Sequence, residues 1–406
     1  MSTGPTSGRP IRVGIVGTGF AASSHLDALA RLPGVAVAGV AGSSPDRARA
    51  AAERLGIGGL AYPDLEALLG DPEVDAVHNC TPNHLHAQVT LQALAAGKHV
   101  LSEKPLAIDS EESARLVAAA SGASLVTGVC CTYRHFPLIQ QVRATLAGGE
   151  PGSVHLVHGS YLQDWLLHPD DWNWRLESAK AGPTRAVGDI GSHWVDTVEH
   201  VTGDRVVEVM ADLGRLYEER LRPVEEVATF ARGDAEGTRY PVDTEDFGSV
   251  LVRLASGARG AFSVSQVSPG RKNRLWFEVD TARAAFVWDQ EEPNRLWIGR
   301  RDGPNRELVR DPSLLGPSAA PLAHYPGGHQ EGWPDALRNL FADFYAAVAG
   351  RGRGELYQPT FASFEDGHHV VQVVEAVAES HRTRSWIPVA GAASGSTEGV
   401  TTEVVS

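Results

Sequence analysis

Two groups of residues in this chain have the types and spacing for proton and charge chemistry on an alcohol oxygen. The apolar run at residues 99–107, HVLSEKPLA, stops on Glu103, Lys104 and Pro105. Further on, Asp189 and His193 stand four apart in GDIGSHWVD and so share one face of a helix. An imidazole titrates at ~6.5, which suits it to take a hydroxyl proton near working pH. An ammonium offers three donors to an oxygen gaining negative charge. A carboxylate beside them can orient the imidazole or accept from a neighbouring hydroxyl. Each group also has a plainer reading. Lys104 alone reads as a solvated surface charge. Residues 189–201 alone read as an amphipathic helix. Asp189, His193, Asp196 and His200 would lie on its solvated face, and Ile190, Trp194, Val198 and Val201 on the other.

The surrounding elements decide between these readings. Residues 11–16, 35–41, 75–80, 99–102 and 124–129 are short β-rich apolar runs. They alternate with helical stretches that start at Ser44-Pro45, Asp64 and Ser110. Such alternation predicts a doubly wound, parallel α/β sheet covered on both faces. After Tyr133 the pattern changes to strand-like runs joined by turns such as Ser256-Gly257 and Ser268-Pro269-Gly270, which predicts a largely antiparallel sheet. Helices are expected near 189–201, 334–349 and 364–380. The expected organisation is a flexible tail at 1–10, a dinucleotide-binding domain at 11–132, a substrate-binding and oligomerisation domain at 133–389, and a disordered tail at 390–406.

The loop after the first strand carries Gly17, Gly19 and Ala22 in G-x-G-x-x-A spacing. Gly17 permits a tight turn, Gly19 lets backbone approach a pyrophosphate, and Ala22 keeps helix and strand close. Its position at the first strand-helix junction favours dinucleotide binding over a simple tight turn. The second strand ends Val40-Ala41-Gly42-Ser43-Ser44, without the acid that holds an adenosine ribose in many such sites. Ser43, Ser44 and Arg47 could take a 2′-phosphate, or Ser44 could simply cap a helix whose surface carries Arg47. NADP is therefore slightly favoured over NAD. At the third strand end Thr81 and Asn83 could bond a nicotinamide ribose, although turn chemistry explains Thr-Pro-Asn nearly as well. Lys104 ends the next strand on the same sheet edge, where ligands of doubly wound folds sit.

Bulk composition excludes several other roles. The 406 residues are ordinary for a soluble two-domain protein, with 42% hydrophobic and 21% charged residues. A net charge of −14 with no basic run argues against nucleic acid or an anionic membrane. The polar start shows no secretory signal, and no apolar run approaches the ~20 residues of a membrane span. Cys80, Cys130 and Cys131 show no metal-ligand spacing and read as core thiols of a reducing cytoplasm.

The set GIVGTGFA, TPNHLHA, GKHVLSEKPLA, YRHFP and GDIGSHWVD resembles the glucose–fructose oxidoreductase, inositol dehydrogenase and MocA (Gfo/Idh/MocA) family over residues 11–388. The resemblance implies a Rossmann domain and a second α/β domain with a large open antiparallel sheet. It also implies a homodimer or homotetramer built through that sheet, a cis bond before Pro105, and Lys104, Asp189 and His193 as catalytic set. Within these motifs the expected cofactor residues are Gly17, Gly19, Phe20, Ala22, Ser43, Ser44, Arg47, Thr81, Pro82, Asn83, His86, Glu103, Lys104 and Arg134.

The aromatic and polar side chains of the second domain point to a ring with several hydroxyls, a sugar or cyclitol. The expected substrate contacts are Lys104, Tyr133, Asp164, Trp165, Trp174, Arg175, Asp189, His193, His324, Tyr325 and His329, with Trp172 and Trp194 assigned to the core. The stretches DWLLHPDDWNWR and YPGGHQEGW resemble the family's levoglucosan dehydrogenase-like branch, which implies oxidation at ring C3. Rival readings are an inositol dehydrogenase, an NAD-assisted glycoside hydrolase of the same family, and a non-catalytic dinucleotide sensor.

Overall fold

The five apolar runs of the first half form one parallel sheet. Its strands are β1 (Ile11–Val16), β2 (Val35–Ala41), β3 (Ala76–Asn79), β4 (His99–Ser102) and β5 (Thr127–Val129), in the order β2-β1-β3-β4-β5. This is a computed structural model, and it describes residues 9–224, 229–230, 236–354 and 357–391. Most of the two expected tails lies outside the described residues. The order reverses between β1 and β3, which opens a crevice at the carboxyl ends of those strands. Helices α1 (Phe20–Ala30), α2 (Pro45–Arg54), α3 (Leu65–Gly70), α4 (His86–Ala95) and α5 (Ser110–Ser121) connect the strands. The cap of α2 is Ser44, whose hydroxyl accepts from the Arg47 N–H at 3.3 Å.

The second sheet has nine strands in the order β15-β14-β13-β12-β6-β11-β10-β7-β16. In chain order they are β6 (Val154–Leu162), β7 (Val206–Gly214), β10 (Phe247–Leu254), β11 (Arg259–Ser265), β12 (Arg274–Thr281), β13 (Ala285–Asp289), β14 (Arg295–Gly299), β15 (Arg306–Val309) and β16 (Ile387–Pro388). All neighbours are antiparallel except β11 beside β6. A separate hairpin pairs β8 (Glu219–Pro223) with β9 (Gly237–Pro241). Period-two alternation selects one face for the core: Val250, Val252, Leu275, Phe277 and Val279 point inward. Helices α6 (Pro137–Ala147) and α8 (Ser192–Thr202) contribute to that core, and the Trp194 ring stacks on Phe262 at 4.4 Å. A four-residue helix, α7 (Ser178–Ala181), lies between them in the chain.

The last two helices tie the halves together. Leu337, Leu340, Phe341 and Phe344 of α9 (Trp333–Gly352) join the core of the first sheet, beside Val13, Ile15 and Ala22. Helix α10 (Phe364–Thr383) packs on β7, α5 and α8. The amphipathic helix expected at 189–201 differs in one respect. Its start, Val187–Gly191, is a wider π-type turn, and Asp196 and His200 are buried rather than solvated. Asp196 accepts from Arg134 at 2.6 Å, and His200 Nε2 meets the Gln140 amide at 2.9 Å. Neighbouring helices supply partners for a stripe that sequence alone leaves facing water.

Burial lowers His78, His86, His193 and His200 below the ordinary imidazole range. An unfolded chain protonates them at ~6.5. Below that pH, and above their folded values, the unfolded state binds more protons, so stability rises with pH across this window. The thermal midpoint should fall by several degrees between about pH 7.5 and about pH 5. An unchanged midpoint would show that these imidazoles take up protons in place.

Candidate active site

The crevice is built by the strand ends. Gly17 sits at φ +119°, and a Cβ there would lie 2.4 Å from the Cys80 carbonyl oxygen, so β1 and β3 approach through this glycine. Gly19 has nothing within 4 Å of where a Cβ would stand, and as N-cap of α1 it has no side-chain bond to the first turn. A bare helix N-terminus beside open space fits a pyrophosphate, and these residues would hold that part of a dinucleotide. Phe20 is half exposed at this mouth, edge-on to Phe230 at 5.4 Å and stacked on Trp333 at 6.1 Å.

Lys104 stands two residues beyond β4, and its peptide to Pro105 is cis. Its Nζ donates to both the carbonyl oxygen and Oδ1 of Asp189, each at 2.8 Å. Arg175 Nε donates to the same Oδ1 at 3.1 Å, and its guanidinium lies over the Trp174 ring at 4.5 Å. Gln266 Nε2 donates to Oδ2 at 2.8 Å. Burial favours the protonated carboxyl, but Lys104 and then Arg175 outweigh it and hold Asp189 below the ordinary range. His193, one helical turn on, is lowered to about 3 by burial first and by Lys104 second. Its ring meets Tyr133 edge-on at 5.0 Å and Tyr161 at 6.1 Å.

Behind Lys104 a buried chain holds the loop. The Lys104 N–H donates to Glu103 Oε2 at 3.1 Å, and Glu103 Oε1 meets His25 Nε2 at 3.0 Å. His25 Nδ1 meets His78 Nδ1 at 2.9 Å, and His78 Nε2 meets the Tyr345 hydroxyl at 2.7 Å. The Glu103 carboxylate only accepts, so His25 Nε2 donates to it. Burial would raise Glu103, yet His25 and Lys104 bring it to about 2.

A polar wall faces His193. Tyr133 and Tyr161 share a 2.6 Å hydroxyl bond, and Tyr161 donates to Asn273 Oδ1 at 2.6 Å. Gln163 Nε2 donates to the same oxygen at 2.8 Å, and Trp165 Nε1 donates to Gln163 Oε1 at 2.9 Å. Burial pushes Tyr133 up to about 12, which keeps it a neutral donor.

Other expected site residues have their polar atoms occupied within the protein. Arg134 binds Asp196 and Asp366 and is buried. His86 bonds the Pro105 and Thr81 carbonyls, and Asn83 donates to the Ala181 carbonyl. Thr81 Oγ1 donates to Asn79. Asp164 accepts from Lys272 at 2.7 Å and from the Gly270 N–H. His324, Tyr325 and His329 are exposed on a loop wrapped around buried Arg310, which donates to the Tyr325, Pro326 and His329 carbonyls. Among the described residues no bond joins these three to Lys104, Asp189 or His193. Ser43 and Arg47 are exposed beside Gly42. Gln163, Gln266 and Asn273 carry no signal in the sequence, because each is one amide at a strand end with no spacing signature.

Comparison with known proteins decides the family. Residues 11–130 match the model of an oxidoreductase family with an NAD-binding Rossmann fold, and residues 139–287 match the GFO/IDH/MocA C-terminal domain. The chain belongs to the Gfo/Idh/MocA family. Levoglucosan dehydrogenase of Pseudarthrobacter phenanthrenivorans is 31% identical over 402 residues, covering 93% of this chain and 98% of that one. A levoglucosan dehydrogenase structure with NADH and levoglucosan has a TM-score of 0.83 at 28% identity, covering 94% of this chain and 100% of that one. An inositol dehydrogenase homologue from Azotobacter vinelandii, with NADH and myo-inositol, has a TM-score of 0.81 at 28% identity, covering 94% and 98%. As a Gfo/Idh/MocA member the chain has the family's two-sheet α/β architecture and is an NAD(P)-dependent oxidoreductase.

Proposed function

We propose that this protein oxidises one secondary hydroxyl of a pyranose, anhydro-sugar or cyclitol, at ring C3 in the sugar case. The observation that carries this reading is the Lys104 ammonium held on Asp189 beside a neutral His193, at the edge of the dinucleotide crevice. When bound, the nicotinamide supplies the hydride acceptor. Two Lys104 N–H bonds are fixed on Asp189, and the third is left for the reacting oxygen, whose growing negative charge it stabilises. His193 takes the hydroxyl proton: burial and then the Lys104 ammonium keep its ring in the neutral form that can accept one. The same lowering makes its protonated form a strong acid toward an alkoxide in the reverse direction. Gln163 and Asn273 each keep a second amide N–H for the remaining hydroxyls, and Tyr133, Tyr161 and Trp165 present aromatic surface. The similarity to sugar and inositol dehydrogenases supports this substrate class.

The test is a 340 nm screen of NAD and NADP against sugars and inositols. Steady reduced-cofactor formation with at least one polyhydroxy ring is expected. Release of an aglycone without net reduced cofactor would replace this reading with glycoside cleavage.

Cofactor choice turns on the end of β2, where Gly42 and Ser43 offer no carboxylate against a 2′-phosphate. NADP should bind at least as tightly as NAD. A Cβ at Gly42 would lie 3.0 Å from Thr18 Cγ2 and 3.2 Å from the Ala48 nitrogen, so exposed Ser43 is the cleaner place for an acid. Ser43→Asp should weaken NADP roughly tenfold relative to NAD through like-charge repulsion. Strong wild-type preference for NAD, with no effect of Ser43→Asp in titrations, would refute this assignment.

The outer face of the nine-stranded sheet carries exposed Leu156, Leu251 and Trp297 around a shallow depression lined by Met210, Leu251 and Trp276. Apolar exposure of this kind favours a homo-oligomer through that face. The free, buried Cys80, Cys130 and Cys131 suit a reducing cytoplasm. Among the described residues no helix is long and apolar enough to cross a membrane.

A further inference from the structure

Asp189 has a third donor, Gln266, that lies just past the end of β11. Gln266 is fully buried, and its side chain runs from Asp189 to Arg185. Its Nε2 donates to Asp189 Oδ2 at 2.8 Å, while its Oε1 accepts from Arg185 Nη1 at 3.2 Å. A guanidinium has donors only, so the amide oxygen must face Arg185 and the amide nitrogen must face Asp189. Arg185 is itself fixed. It is ion-paired with buried Asp246, which also takes Arg220 at 2.7 Å. The backbone N–H groups of Arg185 and Val187 both donate to buried Glu245. The turn that carries Asp189 is therefore clamped at backbone and side chain from the strand side.

The other carboxylate oxygen already accepts from Lys104 and Arg175. Rotation of the Asp189 carboxylate would break a bond on one side or the other. Since two Lys104 N–H bonds end on Asp189, the direction of the third follows the orientation of that carboxylate. We propose that Gln266 is a positioning residue: it locks the Asp189 carboxylate so that Lys104 presents its remaining N–H to the substrate oxygen. This inference rests on the assignment of Lys104, Asp189 and His193 to the reaction. Gln266 acts through Asp189, and its removal loosens the aim of the ammonium without emptying the site.

The test uses the full-length chain with its preferred dinucleotide and the best sugar from the screen. Gln266→Leu keeps the size of the side chain but cannot donate to Asp189. Its kcat should fall roughly 10- to 100-fold, as small misplacements at a reacting centre do, with KM and NADH affinity little changed. Gln266→Glu sets a second carboxyl against Asp189, and two such groups share a proton. Arg185, Asp246 and Arg220 face the introduced carboxyl from one side, and Asp189 with its partners Lys104 and Arg175, and then His193, from the other. Protonated, it donates to Oδ2 as the amide does. Ionised, it repels the carboxylate it should hold.

The kcat of Gln266→Glu relative to wild type should thus be highest at the acid end of the range and fall as pH rises. A role in stability alone would lower the thermal midpoint, leaving kcat per folded enzyme intact and its ratio to wild type flat with pH. Should Gln266→Leu fail to fold, the pH course of Gln266→Glu decides. An active wild type with a Gln266→Leu kcat within about twofold, or a flat Gln266→Glu ratio, overturns this inference alone. A wild type inactive on every polyhydroxy ring overturns the functional reading and this inference with it.

Discussion

Lys104→Met should fold, bind NADH about as tightly as wild type, and turn over at least about 10²-fold more slowly. Folding survives because Asp189 keeps Arg175 and Gln266 as donors, so no buried carboxylate is left unpaired. Binding survives because the crevice at Gly17 and Gly19 would take the pyrophosphate through backbone, with no part for the ammonium. Turnover suffers because the cation that remains on Asp189, Arg175, is a planar guanidinium already bonded through Nε to Asp189 and through Nη1 to Asn173. Lys104→Arg should also be poor, since a planar fork cannot reproduce one compact ammonium between a carbonyl and a carboxylate. His193→Ala should show a comparable loss, and the double variant much less than the product of the two, because the groups act as a unit. Single-turnover rates and NADH fluorescence titration measure both quantities. A Lys104→Met enzyme with near-normal kcat would leave Lys104 as no more than the ion-pair partner of Asp189.

Preference among alcohols should show the largest effect of all. The best pyranose or cyclitol should exceed isopropanol in kcat/KM by about 10⁴-fold or more. In the wall of Tyr133, Tyr161, Asn273, Gln163 and Trp165 the Gln163 and Asn273 amides each keep a second N–H that a ring hydroxyl can take. A substrate with a single hydroxyl reaches Lys104 and His193 but leaves the wall's polar atoms in a dewatered cleft without new partners. Comparable kcat/KM values for isopropanol and the best sugar would show that the wall does not contact substrate.

How much of this was legible in the residues depends on the range of each signal. The parallel sheet, its order of strand and helix, and the glycine turn after β1 follow from local periodicity and from backbone freedom, which are properties of short segments. The antiparallel runs of the second half were readable for the same reason, as alternating strands with turn residues between them. The hairpin of β8 and β9 was not, because its polar strands pair mainly with each other and carry little alternation. Lys104, Asp189 and His193 stood out because their motifs are contiguous in the chain.

Their partners were out of reach because each is a long-range meeting of single side chains. Gln266 is 77 residues from Asp189 in the chain, and Asn273 is 112 from Tyr161. No periodicity or spacing rule links such positions. Arg134 illustrates the converse: its motif placed it near the cofactor, but packing of α8 and α10 brought Asp196 and Asp366 to it first. The buried stripe of α8 has the same origin, since burial of Asp196 and His200 becomes tolerable once neighbouring elements supply bonding partners. Local patterning thus specified the two sheets and the residue types of the proposed site. The direction in which each reactive group points came from packing, because a side chain is oriented by whichever donors and acceptors the folded chain brings within about 3 Å.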